Sequence, residues 1–463
     1  MQVLDGKRIL SCQKSDIVIK LDYCSCDDYN TPVENHILES TFPLSFREDD
    51  AKILGEKIRT RQSIVMVGIK RVGISSFLRF FLTHPDIKQT YIKDTKKHIF
   101  ISVDLNDMVE IELFPFWVLM LKRIVDVVER IDLDEKAKKE VRLLFLDCIQ
   151  TQDLFLTIDS VRKILIILCD AQYLPTLFLL RFDRMQNAVT PELFANLQGL
   201  LQAMHNRISF IFTSVRELES LAPQVFRKAT VSAYIETMYI KPCKHEDVTI
   251  LLDAHCRRLA LKITPLLEKA LVEYVDGYSQ YLQFALVFMN ENRNFISDKK
   301  ALFDLLVQDE RVVLQSEEIW ESLTESEKGI LLRIGKKDEI LEQEKKAAIY
   351  LWDSGILDKK NTIFSPLFAF YLTEKNKENQ RKGNKIEYTK KEYLLLNLLE
   401  QHEDEVCERE LIIEKVWPEV EGLGVSDWAI DRLVARVRSK LKKQKSKVRI
   451  VTVKTRGYKL IKS

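Results

Sequence analysis

Apolar and polar positions along the chain fall into three successive regimes. From Ser63 onward, short apolar runs alternate with helical stretches: Ser63–Val67, His98–Leu105, the run beginning Leu177-Phe178-Leu179-Leu180, and Arg207–Thr213 read as strands. Phe77–Leu82 is an apolar helix directly behind the first of them. Strands separated by helices imply a mainly parallel, doubly wound sheet. From Tyr239 to Asn292 the pattern is helical, with Leu251, Leu252, Leu259 and Leu261 ahead of Leu266–Val275 and Tyr281–Met289. Beyond it, Thr324-Glu325-Ser326-Glu327 and Thr389-Lys390-Lys391-Glu392 are capping boxes, in which Thr and Glu satisfy free amides at a helix start.

The second capping box opens the most informative segment. Tyr393, Leu394, Leu396, Leu398 and Leu399 supply a mostly apolar helix. A second helix starts at Glu408, carries Leu411, Ile412, Val416 and Trp417, and is stopped by Pro418. A third is expected from about Ser426 to Lys443, with Ile430, Leu433, Val434, Val437 and Leu441 on one stripe. At about 100° per residue, Trp428, Arg432, Arg436, Ser439 and Lys443 gather on the opposite face. Val448–Val453 then alternates, and Lys454–Leu460 turns and returns, with Gly457 able to take the φ of a tight turn. Three helices and a basic hairpin make a winged helix over residues 386–463.

Charge sharpens this reading. The formal net charge of the 463 residues is only +2, yet Asp431–Ser463 holds thirteen Lys/Arg and one acid, a local +12, behind an acidic stretch at 400–430. A basic terminal block is often just a solvated tail. Here an apolar pattern is threaded through it, which points to a folded module that neutralises phosphates. The reading that competes is a winged helix used for protein contacts.

These residues resemble the OmpR-type DNA-binding domain that ends many response regulators. The family runs from a Thr-x-x-Glu helix start through a Leu-rich helix and a Leu…Val-Trp helix, to a recognition helix ending Arg-x-Lys-Leu and a wing containing Thr-Val-Arg-x-x-Gly-Tyr. This chain supplies Thr389…Glu392, Leu411…Val416-Trp417, Arg438-Ser439-Lys440-Leu441 and Thr452-Val453-Lys454-Thr455-Arg456-Gly457-Tyr458. The resemblance implies that the third helix enters the major groove of duplex DNA, with Trp428, Arg432 and Arg436 facing the groove and Lys454 and Arg456 as wing contacts. It also implies that the loop from Glu419 to Val425 faces RNA polymerase. Trp428 departs from the smaller polar residue usual near that helix start, so no base preference follows.

The first strand leads into Gly68-Ile69-Lys70-Arg71-Val72-Gly73-Ile74-Ser75-Ser76, whose two glycines have phosphate-loop spacing. The full motif is G-x-x-x-x-G-K-S/T, with amides around phosphates, a Lys on the β/γ-phosphates and a hydroxyl on magnesium. Ile74 holds the lysine position. The loop and helix start can still offer amides to an anion, so Gly68, Lys70, Arg71, Gly73, Ser75 and Ser76 are the candidate anion-binding residues. The segment resembles the STAND class of AAA-like ATPases, especially the archaeal ATPases, which read Gly-x-Arg-Arg-Val-Gly-Lys-Thr-Ser at the loop and Leu-Asp-Glu-Phe-Asp at Walker B. Against that pattern Leu180 stands at the magnesium aspartate and Arg181 at the catalytic glutamate, and the lid's Gly-x-Pro reads Gly277-Tyr278-Ser279. Losing the phosphate Lys, the metal Asp and the activating Glu strips charge stabilisation from the γ-phosphate. The expectation is a pseudo-ATPase with no catalytic residues, ATP or ADP binding without turnover left open, and Asp183 a displaced acid as the alternative.

The expected architecture is therefore multidomain α/β plus α+β: a P-loop parallel sheet with a helical lid, followed by two winged-helix domains. The boundaries are an N-terminal segment at 1–40, the degenerate NTPase-like domain at 41–240, the lid at 241–315, a middle winged helix at 316–373, a linker at 374–385 and the DNA reader at 386–463. In the ATPase class a winged helix commonly packs on the lid. The middle hairpin lacks a basic cluster beyond Lys359 and Lys360, which argues against a second DNA reader. Arg8–Cys12 and Ile17–Tyr23 are two strands of unassigned role.

Composition excludes other classes. With 46% hydrophobic and 30% charged residues the chain reads as globular, not disordered. Apolar stretches such as Phe114–Leu121 are broken by Lys122 and Arg123 short of a membrane span, and Met1-Gln2-Val3-Leu4-Asp5 opens no secretory leader, so a cytoplasmic protein is expected. The eight cysteines show no C-x-x-C pair or His-containing metal spacing; reduced thiols are expected, with a metal or redox role at the close pair Cys24 and Cys26 as the alternative. Expected partners are double-stranded DNA and RNA polymerase, with a homo-oligomer open and no membrane. The function expected is a DNA-binding transcription regulator. The alternatives are an ATP-hydrolysing switch gating DNA binding and an adaptor whose winged helices hold proteins.

Overall fold

A computed structural model describes residues 37–462 except 95, 227–234, 293–297, 337, 382–387, 418–426, 445 and 454–455. The two N-terminal strands expected at Arg8–Cys12 and Ile17–Tyr23 lie outside the described residues, as do Cys24 and Cys26. The chain divides into two compact units: Met1–Thr41 with Leu54–Val65 and Arg79–Glu236, and Phe42–Ile53 with Met66–Leu78 and Thr237–Ser463.

In chain order the first elements are α1 (Glu48–Arg59), β1 (Ser63–Val67), α2 (Ile74–Thr83), β2 (Lys97–Asp104), α3 (Leu113–Arg130), α4 (Glu135–Thr151), α5 (Leu154–Asp170), β3 (Tyr173–Leu180), α6 (Pro191–Ala203), β4 (Ser209–Ser214) and β5 (Ile235–Tyr239). The five strands form one sheet in the order β2-β3-β4-β1-β5. Strand β3 runs parallel to both β2 and β4, in register from Lys97↔Tyr173 to Asp104↔Leu180 on the β2 side. Strands β1 and β4 are buried at every position, which is why they read as continuous apolar runs and not as alternation. Asp134, Asp153 and Thr190 start α4, α5 and α6 by accepting the amides of Lys136, Leu156 and Leu193. The three-helix insertion α3–α5 between β2 and β3 had no counterpart in the sequence motifs.

The second unit continues with α7 (His245–Leu259), α8 (Pro265–Val275), α9 (Ser279–Glu291), α10 (Glu310–Glu321), α11 (Glu325–Gly335) and α12 (Pro366–Arg381). Thr324 caps α11 in the predicted box: Glu327 N donates to Thr324 Oγ1 at 3.3 Å and Thr324 N to Glu327 Oε2 at 2.8 Å. The middle hairpin is a single bridge, Leu357↔Ile363, among the described residues. Helix α12 runs to Arg381, so the polar stretch expected as a linker is helical that far. Its Lys, Glu, Asn and Gln residues are tolerated in a helix, no Gly or Pro interrupts it, and Lys377 pairs with Glu374 at 2.6 Å.

The C-terminal module comprises α13 (Lys390–Gln401), β6 (Cys407–Glu408), α14 (Arg409–Val416), α15 (Asp427–Lys443), β7 (Val448–Val453) and β8 (Gly457–Lys462). Its small antiparallel sheet has the order β6-β8-β7. The stripe Ile430, Leu433, Val434, Val437 and Leu441 is buried against Leu395, Leu399 and Ile412. Gly457 is required less by the turn than by crowding: a Cβ there would lie 2.1 Å from the Cys407 carbonyl oxygen. No helix among the described residues is long and apolar enough to cross a membrane. Cys148, Cys169, Cys243 and Cys407 are buried free thiols.

Candidate nucleic-acid interface and phosphate loop

The reader is braced from within. Tyr458 of β8 is buried, and its hydroxyl donates to Asp431 of α15, which also pairs with Arg409 of α14 at 2.7 Å. Burial and the Asp431 carboxylate push the Tyr458 phenol up to about 12. Arg438 ties α15 to the hairpin, donating to Ile450 O and Thr452 Oγ1, both at 2.9 Å. Asp431, the lone acid of the basic stretch, and the family-matched Arg438 therefore fix helix against hairpin. Arg456 is left exposed on the wing, 3.6 Å from Glu408. Ser439 is exposed as expected. The side chains of Trp428 and Lys443, and all of Lys454 and the Glu419–Val425 loop, lie outside the described residues.

Arg432 and Arg436, expected on the free groove-facing side, are instead half-buried against α10. Arg436 Nη1 sits 3.1 Å from Glu317 Oε2, and Arg432 Nη1 sits 3.0 Å from Glu321 Oε2. Lys391 at the start of α13 adds a third link, 2.8 Å to Glu310. The face opposite the apolar stripe is thus in place, but in this conformation it meets carboxylates of the same chain. The fit is incomplete: Arg432 Nε and Nη2 are buried without a hydrogen-bond partner among the described residues, while Arg436 Nε lies 3.5 Å from Glu392 Oε1. Buried donors left unpaired cost free energy. Behind this contact, burial raises the Glu392 carboxyl, but Lys440, the Thr389 amide and Arg436 outweigh it and hold the group below the usual range.

The phosphate loop belongs to the same unit. Gly73 (φ +110°) and Arg71 (φ +63°) take left-handed backbone, the turn that precedes α2. Ile74, at the lysine position, is the half-buried first residue of α2, with Ser75 and Ser76 following. The lid residues that depart from Gly-x-Pro grip the loop: Tyr278 OH donates to Lys70 O, and Ser279 Oγ to Arg71 O at 3.2 Å. Gln315 of α10 donates to Tyr278 OH at 2.9 Å. The loop's two cations converge on one α10 carboxylate, with Arg71 Nε 3.1 Å and Lys70 Nζ 3.6 Å from Glu318. Buried Arg47, which no sequence signal marked, fixes the loop's far side. It donates to Val72 O, Lys241 O and Cys243 Sγ, and pairs with Asp50 at 2.8 Å.

In the first unit, Leu180 ends β3 buried, so the metal-aspartate position holds no oxygen. Arg181 takes left-handed backbone (φ +57°), its amide donates to Thr213 Oγ1 at 2.7 Å, and its guanidinium pairs with Asp104. Asp104 is fully buried at the end of β2 and was read only as part of a strand. The cation at the catalytic-glutamate position thus neutralises the nearby acid, and Asp183 is half-buried on the turn beyond. A cleft of about 440 Å³ lined by Arg61, Lys96, Lys97, Tyr173 and Arg207 lies at the opposite strand ends. Its arginines cap helix termini: Arg207 donates to Cys169 O at 2.9 Å and Arg61 to Ile58 O at 3.3 Å. Burial pulls Arg61 down to about 10.

Besides Arg47 and Asp104, sequence reasoning missed Glu317, Glu318 and Glu321. One signal was available. The i, i+4 spacing of Glu317 and Glu321 matches that of Arg432 and Arg436, and the pairs form in antiparallel order.

Residues 383–460 match the family model described as transcriptional regulatory protein, C terminal. No curated protein matches the chain. Among solved structures it is similar to a Walker-type ATPase of Pyrococcus abyssi, at 16% identity and TM-score 0.46, over 73% of this chain and 100% of that one. It is also similar to the ORC2 protein of Aeropyrum pernix in ADPNP–ADP complexes, at 14% identity and TM-score 0.43, over 74% and 87% of the two chains. The ORC1 protein of the same organism, in complex with DNA, shares 11% identity at TM-score 0.35 over 91% and 90%.

Proposed function

We propose that the chain is a cytoplasmic, DNA-binding transcription regulator whose nucleotide-type body holds its C-terminal reader closed. The observation that carries this is the paired contact Arg436–Glu317 and Arg432–Glu321 in a module matching the transcriptional-regulator domain. In this reading the α10 carboxylates stand where DNA phosphates would otherwise sit, and release of α10 frees both arginines for the major groove. The two buried nitrogens of Arg432 that lack a hydrogen-bond partner among the described residues favour release, since phosphate and base edges offer the acceptors that α10 lacks. Trp428, Ser439 and Lys443 complete the groove face, and Lys454 and Arg456 form the wing contacts. The Glu419–Val425 loop touches RNA polymerase.

The body binds an anion without hydrolysing it. Ile74 and Leu180 replace the phosphate lysine and the metal acid, and Arg181 is spent on Asp104. Lys70, Arg71 and the amides of Gly68–Ser76 are what remains to hold ATP or ADP, as in the STAND class that the loop resembles. A second reading, an adaptor whose reader helix contacts acidic protein surfaces, draws on the same ion pairs. Selection of bound sequences from random duplex DNA, with and without ATP, separates the two. Sequence-preferring binding that weakens steeply with salt supports the regulator, and no enrichment in either condition sinks it.

A further inference from the structure

Arg432 and Arg436 each meet a carboxylate of α10, but they differ in what their own module gives them. Glu392, the acid of the capping box at the start of α13, is buried. Its two oxygens divide their partners. Oε2 accepts the Thr389 amide at 2.7 Å and the Lys440 ammonium. Oε1 lies 3.5 Å from Arg436 Nε, while Glu317 meets the same guanidinium at Nη1. Among the described residues Arg432 has no such inner anchor. Its ion pair is with Glu321, and its Nε and Nη2 are buried without a hydrogen-bond partner.

Once α10 departs, the two side chains are therefore unequal. Arg436 retains an ion pair inside the module, which limits the orientation of its guanidinium plane and leaves Nη1 facing outward. Arg432 loses its carboxylate and regains rotamer freedom, which any later contact must again restrict. Reading a guanine edge takes two parallel hydrogen bonds from one planar fork, so it depends on a fixed plane. A phosphate accepts donors from many directions and fixes register without reading sequence.

We propose that Glu392 is a positioning residue for sequence readout, orienting Arg436 to read a base in the major groove while Arg432 makes a phosphate contact. This rests on the DNA reading of the module. Gln at the third position of a capping box still serves the amide at the helix start. Glu392→Gln thus removes the charge of the anchor and keeps the cap.

The test measures binding of the full chain, carrying Glu317→Gln and Glu321→Gln so that α10 does not compete, to a selected duplex and its single-base-pair variants. Arg436→Ala is expected to relax preference at one base pair by about 5- to 150-fold. Glu392→Gln is expected to relax that same base pair by at least about fivefold. Arg432→Ala is expected instead to weaken all duplexes alike and to lower the salt slope by about 1. In a chain already carrying Arg436→Ala, Glu392→Gln should relax the preference no further, because it acts through that arginine. The preference is a ratio between duplexes, so a partly unfolded variant does not imitate its loss. The proposal is overturned by an unchanged preference in Glu392→Gln, by relaxation at a base pair that Arg436→Ala leaves alone, or by additive losses in the double variant. Each of these leaves the DNA reading standing. A wild type with no preferred sequence removes that reading, and the positioning role with it.

Discussion

Arg436 of α15 lies 3.1 Å from Glu317 of α10, and both side chains are mostly buried, at 16% and 12% exposure. An arginine expected to read DNA is therefore held by a carboxylate four residues from the one that holds Arg432. In the closed state proposed above, this contact competes with DNA for both arginines.

Glu317→Gln with Glu321→Gln keeps the volumes and removes the charges. Its duplex affinity in the full chain is expected to rise by about 5- to 150-fold, the range given by a coupling of about 1–3 kcal/mol. Arg432→Ala with Arg436→Ala should lose about 1–3 kcal/mol per base contact. Fluorescence anisotropy on a selected duplex reads both. Equal affinity of the Gln variant and wild type removes the closed state, and no binding by any variant removes the DNA reading.

Phosphate release from ATP should not exceed that of a Gly68→Ala, Gly73→Ala variant, with either magnesium or manganese. Sustained turnover above that background would mean that Asp183 or another acid replaces the lost Walker residues.

Arg181→Met removes the charge partner of the fully buried Asp104 carboxylate, which keeps the Asn106 amide at 2.8 Å. The expected cost is about 3–5 kcal/mol of stability in denaturant unfolding. Adding Asp104→Asn should return a large part of it. Additive losses in this double-mutant cycle would show that the pair is not coupled.

The Glu392 carboxyl, held low in the folded chain chiefly by Lys440 against the cost of burial, stabilises the C-terminal module above its unfolded pKa. That contribution is lost as pH falls through the folded value. Hydrogen exchange of α13 and α15 amides should accelerate as pH falls below the ordinary carboxylate range, and Glu392→Gln should flatten the profile. A variant with the wild-type profile would place the acid sensitivity elsewhere.

The C-terminal module was the most legible part of the sequence because its signals are local. A capping box and an apolar stripe are each read from a single helix. The sheet strands were legible because burial on both faces makes their central residues apolar. What escaped was anything set by long-range pairing. Nothing local to Glu317 names a partner 119 residues away, and Asp104 looks like an ordinary strand end until Arg181 arrives from β3. The polar side of α15 lies opposite its apolar stripe as expected, but a sequence stripe says only which side is polar, not what that side meets.

Helix α10 gives Glu317 and Glu321 to the reader's arginines and Glu318 to Lys70 and Arg71. One rigid element thus serves as counter-ion to two separate cationic groups, and thermodynamic linkage makes any exchange between them reciprocal. Whatever factor an anion on the loop adds to DNA affinity, DNA must add to the loop's affinity for that anion. If the proposed function holds, a target site retains the loop's anion as well as the protein, and occupancy of the genome feeds back on how long that anion stays bound.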